Sequence, residues 1–135
     1  MTFAIPGDPV GKARPRFSGH AYTPDKTKAY EDRVRWAYRA AHGPTFDGPV
    51  KLRIVARYRI PKSAPKKTRE AMDAGRIAPT KRPDLDNVCK IIMDALNGMA
   101  YADDAQVCEI TAGKSYAVEP RVTVQIEGRS ENGSI

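Results

Sequence analysis

The sequence has few of the residues that bind soft metals or build disulfide frameworks. Its 135 residues include two cysteines, Cys89 and Cys108, and two histidines, His20 and His42. These residues lack the spacing of a Cys/His metal site, and two cysteines do not make the framework typical of small secreted domains. We therefore expect both cysteines to be buried free thiols in a reducing compartment, and both histidines to be structural.

Long hydrophobic runs are also missing. No run of about 18 apolar residues occurs, which is the length that crosses a membrane as a helix. The N-terminal segment is too short, and too interrupted by proline and glycine, for a signal peptide. Internal repeats and low-complexity tracts are absent. We therefore expect one cytoplasmic domain over residues 1–135, with residues 128–135 as a frayed polar tail.

The charge is strongly positive but unevenly distributed. The chain has a net charge of +7. Residues 1–82 contain 19 Lys and Arg against 7 Asp and Glu, whereas residues 83–135 contain 4 against 9. A basic first half next to an acidic stretch is typical of a protein that binds a polyanion and cuts it with a metal ion. The net charge alone also fits a basic protein without a nucleic-acid partner.

The clearest periodicity in the chain lies within residues 83–107, and it is that of a helix. Apolar residues recur there at the i, i+3, i+4, i+7 spacing of one buried helix face. These residues are Val88, Ile91, Ile92, Ala95, Leu96 and Met99. Asn97 and Gly98 follow as a helix stop, because glycine adopts the left-handed conformation after a helix without steric cost.

Two acidic pairs flank this predicted helix. Asp84 and Asp86 lie at its start, and Asp103 and Asp104 lie in the turn that follows it. If these carboxylates converge, they supply the hard oxygen ligands that Mg²⁺ prefers. The metal ion would then remove a repulsion of roughly 4 kcal/mol for each close pair. The alternative is structural, because aspartate also caps helix starts and is common in turns.

The order of these groups resembles the signature of the RusA family of endodeoxyribonucleases, the Holliday junction resolvases. The matching segments are Asp84-Leu85-Asp86-Asn87, Lys90, Asp94-Ala95-Leu96 and Asp103-Asp104-Ala105-Gln106-Val107. Together they span about a fifth of the chain. A weaker likeness extends to the N-terminal segments Ile5-Pro6-Gly7 and Lys12-Ala13-Arg14-Pro15-Arg16-Phe17.

The resemblance implies a mechanism, a cofactor and an assembly. The residues that it implies as catalytic are Asp84, Asp86, Lys90 and Asp104. The expected ligands of Mg²⁺, for which Mn²⁺ can substitute, are Asp84, Asp86, Asp104 and, less directly, Asp103. In this scheme Lys90 neutralises charge on the phosphate, and Asp94 is placed to support it. The resemblance also implies a homodimer, because a four-way junction has two strands to cut that are related by approximate two-fold symmetry.

Basic residues cluster in three segments that we predict to contact DNA. A loop rich in glycine and proline near the N-terminus leaves its cations free to meet phosphate oxygens. A short basic helix that Ser63 caps is predicted to end at Gly75, and two further cations directly precede Asp84. The predicted DNA-binding residues are Lys12, Arg14, Arg16, Lys66, Lys67, Arg69, Lys81 and Arg82. Solvent-exposed connectors carry similar charges, so the pattern alone leaves that alternative open.

The remaining patterns predict the fold. Residues 50–60 form the clearest strand, in which apolar residues alternate with a row of cations that either phosphates or solvent could face. Shorter strands are predicted at 2–5, 106–112 and 121–127, and a helix at about 24–42. These elements predict an α+β fold, a single domain with helices packed on a mixed β-sheet as a two-layer α/β sandwich. The resemblance implies a RusA-like version of it.

From these features we predict a Mg²⁺-dependent endodeoxyribonuclease that resolves four-way DNA junctions by paired, symmetric phosphodiester cleavage in recombination and repair. Two alternatives stay open. One is a flap or other branched-DNA nuclease with the same chemistry, and the other is a basic DNA-binding module without catalysis. The motifs encode the cut and not the shape of the DNA, so they do not separate the two nucleases.

Overall fold

The computed structural model describes residues 1–13, 16–17, 21–22 and 25–129, with backbone alone for 16–17 and 21–22. The strands are β1 (Thr2–Pro6), β2 (Arg16–Phe17), β3 (Ala21–Tyr22), β4 (Val50–Arg59), β5 (Val107–Ala117) and β6 (Arg121–Gly128). The helices are α1 (Asp25–Ala40), α2 (Lys66–Asp73) and α3 (Leu85–Ala95), and a 3₁₀ turn covers Asp104–Gln106. Among these helices, none has both the length and the apolar composition needed to cross a membrane.

Four of the strands form one mixed sheet in the order β1-β6-β4-β5. β6 runs antiparallel to both β1 and β4, whereas β5 runs parallel to β4. β2 and β3 pair with each other in a separate two-stranded sheet. Residues of β4 alternate between buried and accessible along its whole length. The predicted alternation is therefore confirmed, and it places the cations of β4 on the face away from the core.

α1 and α3 pack against each other and against the apolar face of the sheet. The buried residues of α3 are Val88, Ile91, Ile92 and Ala95, which confirms the predicted helix face as far as Ala95. The helix ends there, and Leu96 and Met99 of the predicted face lie beyond it. Those of α1 are Thr27, Tyr30, Glu31, Val34, Ala37 and Tyr38. Full burial of each Val or Ile contributes roughly 1.5–3 kcal/mol, so α3 is held in place by its apolar face. The fold is α+β, with helices on one mixed sheet, as predicted.

β5 extends further than the sequence predicted. The predicted strand ended at Ala112, but the observed strand continues to Ala117 in parallel register with β4. Hydrogen bonds to β4 extend this segment despite the low strand propensity of Gly113. The extension brings Lys114 into register with Ala56, on the side of the sheet that the helices cover.

Two local predictions are wrong. Ser63 does not cap α2, which begins after Pro65 without a side-chain cap. Proline disfavours a helical conformation in the residue before it, so the helix cannot start earlier. Cys108 is exposed rather than buried, whereas Cys89 is half-buried, and both thiols are free. The pairing of β4 with β5 is shifted by a bulge at Cys108, which leaves this residue outside the regular pairing.

Candidate active site

The start of α3 is anchored to the core although it lies at the surface. The hydroxyl of the buried Tyr58, near the end of β4, donates to the carbonyl of Pro83. The backbone N–H of Lys12 donates to the carbonyl of Asn87 at 2.9 Å. Burial, followed by the charge of Asp84, raises the pKa of Tyr58 to about 12, so this hydroxyl remains a donor at neutral pH. β4 and the N-terminal segment thus hold the first turn of the helix.

Asp84 and Asp86 present exposed carboxylates at this helix start. Asp84 is the N-cap residue, but its side chain makes no capping hydrogen bond. Neither aspartate forms an ion pair with a residue in the described ranges. Helix capping would have explained Asp84 as a structural residue. Because Asp84 makes no capping hydrogen bond, its position favours a role as a ligand of a metal ion.

The second acidic pair divides into one capping residue and one residue without that role. The carboxylate of Asp103 accepts a hydrogen bond from the N–H of Ala105 at 3.4 Å. Asp103 and Gln106 together form a reciprocal cap of the 3₁₀ turn. The amide of Gln106 also donates to the carbonyls of Phe46 and Gly48, each at 3.0 Å. A structural role therefore explains Asp103 and does not explain Asp104.

The turn between the two acidic pairs folds back along α3. Gly98 has a φ of 76°, and its N–H donates to the carbonyl of Tyr101 at 2.8 Å. The hydroxyl of the buried Tyr101 donates in turn to the carbonyl of Met93 at 2.8 Å. Burial, and then the charges of Asp104 and Asp94, raise the pKa of Tyr101. The turn therefore brings Asp104 close to the second half of α3.

A chain of ion pairs joins α3, α1 and the N-terminal segment. The ammonium of Lys90 donates to Asp94 at 3.0 Å, and that of Lys12 contacts Asp94 at 3.3 Å and Glu31 at 3.1 Å. Glu31 is only 8% exposed. The hydrogen bond and charge of Asp94, and then the charges of Asp104 and Glu31, raise the pKa of Lys90. These contacts keep Lys90 protonated and orient it, one helical turn beyond the first acidic pair.

Cations from β5 and from the segment before α3 also lie at this helix start. The ammonium of Lys114 donates to the carbonyl of Lys81 at 2.7 Å and lies 4.9 Å from the ring centre of Tyr58. Lys81 in turn lies 5.9 Å from the ring centre of Tyr116. Lys81 and Arg82 are exposed, as a DNA contact requires. Sequence reasoning missed Lys114, because that residue fell in a predicted loop and only the strand register places it here.

The other predicted DNA-binding residues lie in three places. Lys66, Lys67 and Arg69 are exposed on α2, and two of them line a groove of about 330 Å³. Lys12 is engaged by two carboxylates, as described above. Arg14 lies outside the described residues, as does the side chain of Arg16. A DNA contact by each of these residues stays a prediction.

The carboxylates suit a hard metal ion but do not form a closed site. Mg²⁺ commonly takes one or two protein carboxylates together with waters and substrate phosphates. Asp84 and Asp86 offer such oxygens. Within residues 1–13 and 25–129, no three His, Cys, Asp or Glu side chains are grouped so that they could hold a metal ion. The residues therefore fit a metal ion shared with a DNA phosphate, and metal ligation by Asp103 and Asp104 stays a prediction.

Comparison with known proteins identifies the family. A family model described as Endodeoxyribonuclease RusA matches residues 6–127, a range that includes both acidic pairs and Lys90. The uncharacterized protein YqaN of Bacillus subtilis (strain 168) is 37% identical over 135 residues, which cover 93% of this chain and 94% of that protein. The chain therefore belongs to the RusA endodeoxyribonuclease family.

Proposed function

We propose that this chain is a metal-dependent endodeoxyribonuclease that cuts four-way DNA junctions. The observation that carries the proposal is the pair of exposed carboxylates, Asp84 and Asp86, which are not engaged in capping and have cations on both sides along the chain. Membership of the RusA family supports nuclease activity and a junction substrate. The surrounding lysines and arginines are the side chains that commonly contact the phosphates of DNA.

Each side chain of the site then has its own task. Asp84 and Asp86 hold Mg²⁺, or Mn²⁺ in its place, through carboxylate oxygens. When bound, the ion makes a water molecule a stronger nucleophile and offsets negative charge on the phosphate. Lys90 donates hydrogen bonds to the oxygens that gain charge as the phosphodiester bond breaks. Lys81 and Arg82 hold the DNA backbone beside the cut.

We also propose that two copies act together in recombination and repair. Paired, symmetric cuts across a four-way junction need two copies of the site related by a two-fold axis. Sedimentation of the free protein should therefore give a mass close to twice the 14.9 kDa of the chain, and the complex with a junction should contain two chains. A monomer that makes both cuts in one binding event would contradict the paired arrangement.

Aspartate-to-asparagine variants test the site, because this change removes the charge with little change in volume. Asp84→Asn and Asp86→Asn should each reduce cleavage of a labelled four-way junction in Mg²⁺ by at least ~100-fold, because loss of even an outer-shell partner of a metal ligand costs about 10- to 100-fold. Binding of the junction should be retained, because the cations that contact DNA are unchanged. EDTA should abolish cleavage by the unaltered protein.

The matched control is Asp32→Asn on α1, where the side chain is 76% exposed. It should leave cleavage unchanged, whereas full cleavage by Asp84→Asn would contradict the proposal. A parallel assay with a flap and a linear duplex separates the substrates. Preference for the flap would favour the flap nuclease, and failure to cut any DNA in Mg²⁺ would favour the non-catalytic DNA-binding module.

A further inference from the structure

The sheet has a second face, opposite α1 and α3, that is polar and rich in cations. On β4 and β6, every side chain that points to this side is exposed or half-buried. These residues are Lys51, Arg53, Val55, Arg57 and Arg59 of β4, with Arg121, Thr123, Gln125 and Glu127 of β6. Thr111 and Ser115 of β5 extend the same side by register with β4. We call this surface, formed by these eleven residues, the open face.

Three carboxylates on or beside the open face have cationic partners. The pairs are Lys51 with Glu127 at 3.5 Å, Arg59 with Asp8 at 3.6 Å, and Arg129 with Glu109 at 4.0 Å. Arg53, Arg57 and Arg121 form no ion pair with a residue in the part of the chain that the structure describes. The open face therefore carries three positive charges that are outside ion pairs, although Arg121 also donates to the backbone carbonyl of Glu119 at 2.9 Å.

Two of these cations are direct neighbours. Arg57 and Arg121 face each other across the antiparallel strands β4 and β6. Like charges in this position destabilise a sheet. Burial, and then the charge of Arg121, lower the pKa of Arg57. An anion bound between the two guanidinium groups would remove this repulsion.

The groups around this pair suit a phosphate. The guanidinium of Arg57 donates to the hydroxyl of Thr123 at 2.9 Å, which orients its remaining N–H groups. Ser115 lies beside Arg57 on β5. Arginine and hydroxyl side chains are the common protein contacts to the backbone of DNA. The open face has no aromatic side chain on which the bases of a single strand could stack, so a duplex is the better match.

The open face adjoins the candidate active site at one end of β4. Arg57 and Tyr58 are consecutive and point to opposite sides of the sheet. Tyr58 contacts Pro83, which directly precedes Asp84. A duplex that leaves the cut site around this end of the sheet would therefore reach Arg57 and Arg121. We propose that the open face binds the phosphate backbone of a duplex arm of the substrate; this inference rests on the proposed nuclease function.

The double variant Arg57→Gln/Arg121→Gln tests the inference. The variant also carries Asp84→Asn, and its affinity for junction DNA is measured over a series of salt concentrations. One junction has arms of roughly 20 base pairs, about two helical turns, and the other has arms of roughly 8 base pairs. For the long arms, we expect affinity to fall on the order of tenfold at low salt. The slope of log K against log salt should become shallower by about 1.8, since each lost phosphate contact contributes about 0.9. An arm of roughly 8 base pairs presents fewer phosphates to the open face, so affinity for the short arms should fall by a smaller factor.

Two further variants distinguish local contacts from total charge. Lys28→Gln/Arg39→Gln removes the same charge from exposed positions of α1 and should retain the affinity for long arms. Arg57→Lys/Arg121→Lys keeps the charge and should retain most of that affinity. The thermal unfolding midpoint of the glutamine double variant should be unchanged or raised, because two like charges that face each other have been removed.

The outcomes separate this inference from the proposed function. If the unaltered protein cuts junctions while the glutamine variant keeps its affinity and salt slope, the open-face inference is overturned and the nuclease proposal stands. An equal loss in the α1 variant would also overturn it, because total charge would then explain the effect. A lower sedimentation mass of the glutamine variant would show that a second copy occupies the face. An unaltered protein that does not bind DNA would reject both proposals.

Discussion

Adjacent aspartates in the acidic turn have different roles because they make different hydrogen bonds. Asp103 caps the 3₁₀ turn through Ala105 and Gln106. Asp104 makes no such cap. Asp94 and then the charge of Asp104 raise the pKa of Lys90. Burial and then the charge of Asp104 raise the pKa of Tyr101. Stability and catalysis should therefore be separable between two neighbouring residues.

The separation can be measured with one variant of each residue. Asp103→Ala should lower the free energy of unfolding by about 1 kcal/mol, the usual cost of losing an N-cap. Asp104→Asn should have little effect on unfolding but should reduce junction cleavage, because it removes a predicted metal ligand whose charge also acts on Lys90. Urea unfolding and a cleavage assay on both variants check this. The prediction fails if Asp103→Ala is the variant that loses activity while keeping full stability.

Lys90 is positioned by Asp94, which also pairs with Lys12, and Lys12 in turn pairs with Glu31. Asp94→Asn removes the charged partner of both lysines, so we expect lower stability, by roughly 1.5–3 kcal/mol, and slower cleavage. Glu31→Gln affects only Lys12 directly and should lower stability with a smaller effect on cleavage. Equal losses of cleavage in the two variants, at equal stability, would argue against a positioning role for Asp94.

At the scale of elements, α3 joins the core to the site. Its apolar face is buried against the sheet and α1, while its first turn presents Asp84 and Asp86 to solvent. Side chains on a rigid, well-packed element keep their geometry better than side chains on a loop. The segment after α3 is equally important, because it returns Asp104 toward Lys90.

This return depends on Gly98, which has a left-handed φ of 76°. No heavy atom lies within 4 Å of a Cβ built there, so any cost of Gly98→Ala comes from backbone conformation. We expect the free energy of unfolding to fall by about 1–2 kcal/mol. The control is Gly48→Ala, which has the same open space without a positive φ and should be neutral or slightly stabilising. Equal unfolding midpoints for the two variants would show that the turn does not need glycine.

At the scale of the whole molecule, buried tyrosines should make the fold sensitive to alkaline pH. Burial raises the pKa of Tyr30 to about 12, against a smaller lowering by the charge of Arg33. Burial, and then the charge of Asp84, raise the pKa of Tyr58 to about 12. Because these values exceed the ordinary value of about 10, the stability that the two phenols contribute is complete below about pH 10. It should be lost as the pH rises from about 10 to 12.

Unfolding by urea at a series of pH values checks this, together with phenolate absorbance. The free energy of unfolding should decline between pH 10 and 12, and part of the tyrosine absorbance should titrate late. Tyr58→Phe should make the decline shallower, because one of the phenol protons coupled to unfolding is removed. A free energy that stays level over this range would contradict the prediction.

Sequence patterns were sufficient wherever the information is local. The helix face of α3, the alternation in β4 and the two acidic pairs each depend on residues a few positions apart, and periodicity and backbone propensity act over that range. The family signature could be read for the same reason, since it is compact and ordered along the chain. The end of β5 was mispredicted because its pairing partner, β4, lies more than 50 residues earlier.

The tertiary structure decided what depends on distant residues. It engages Lys12 with Glu31 and Asp94, brings Lys114 to the start of α3 through parallel register, and sets Arg57 opposite Arg121. It also shows which aspartate is used for capping. The physical reason is that an ion pair, a cap or a repulsion is determined by separations of a few ångströms between side chains, and strand order and register set those separations.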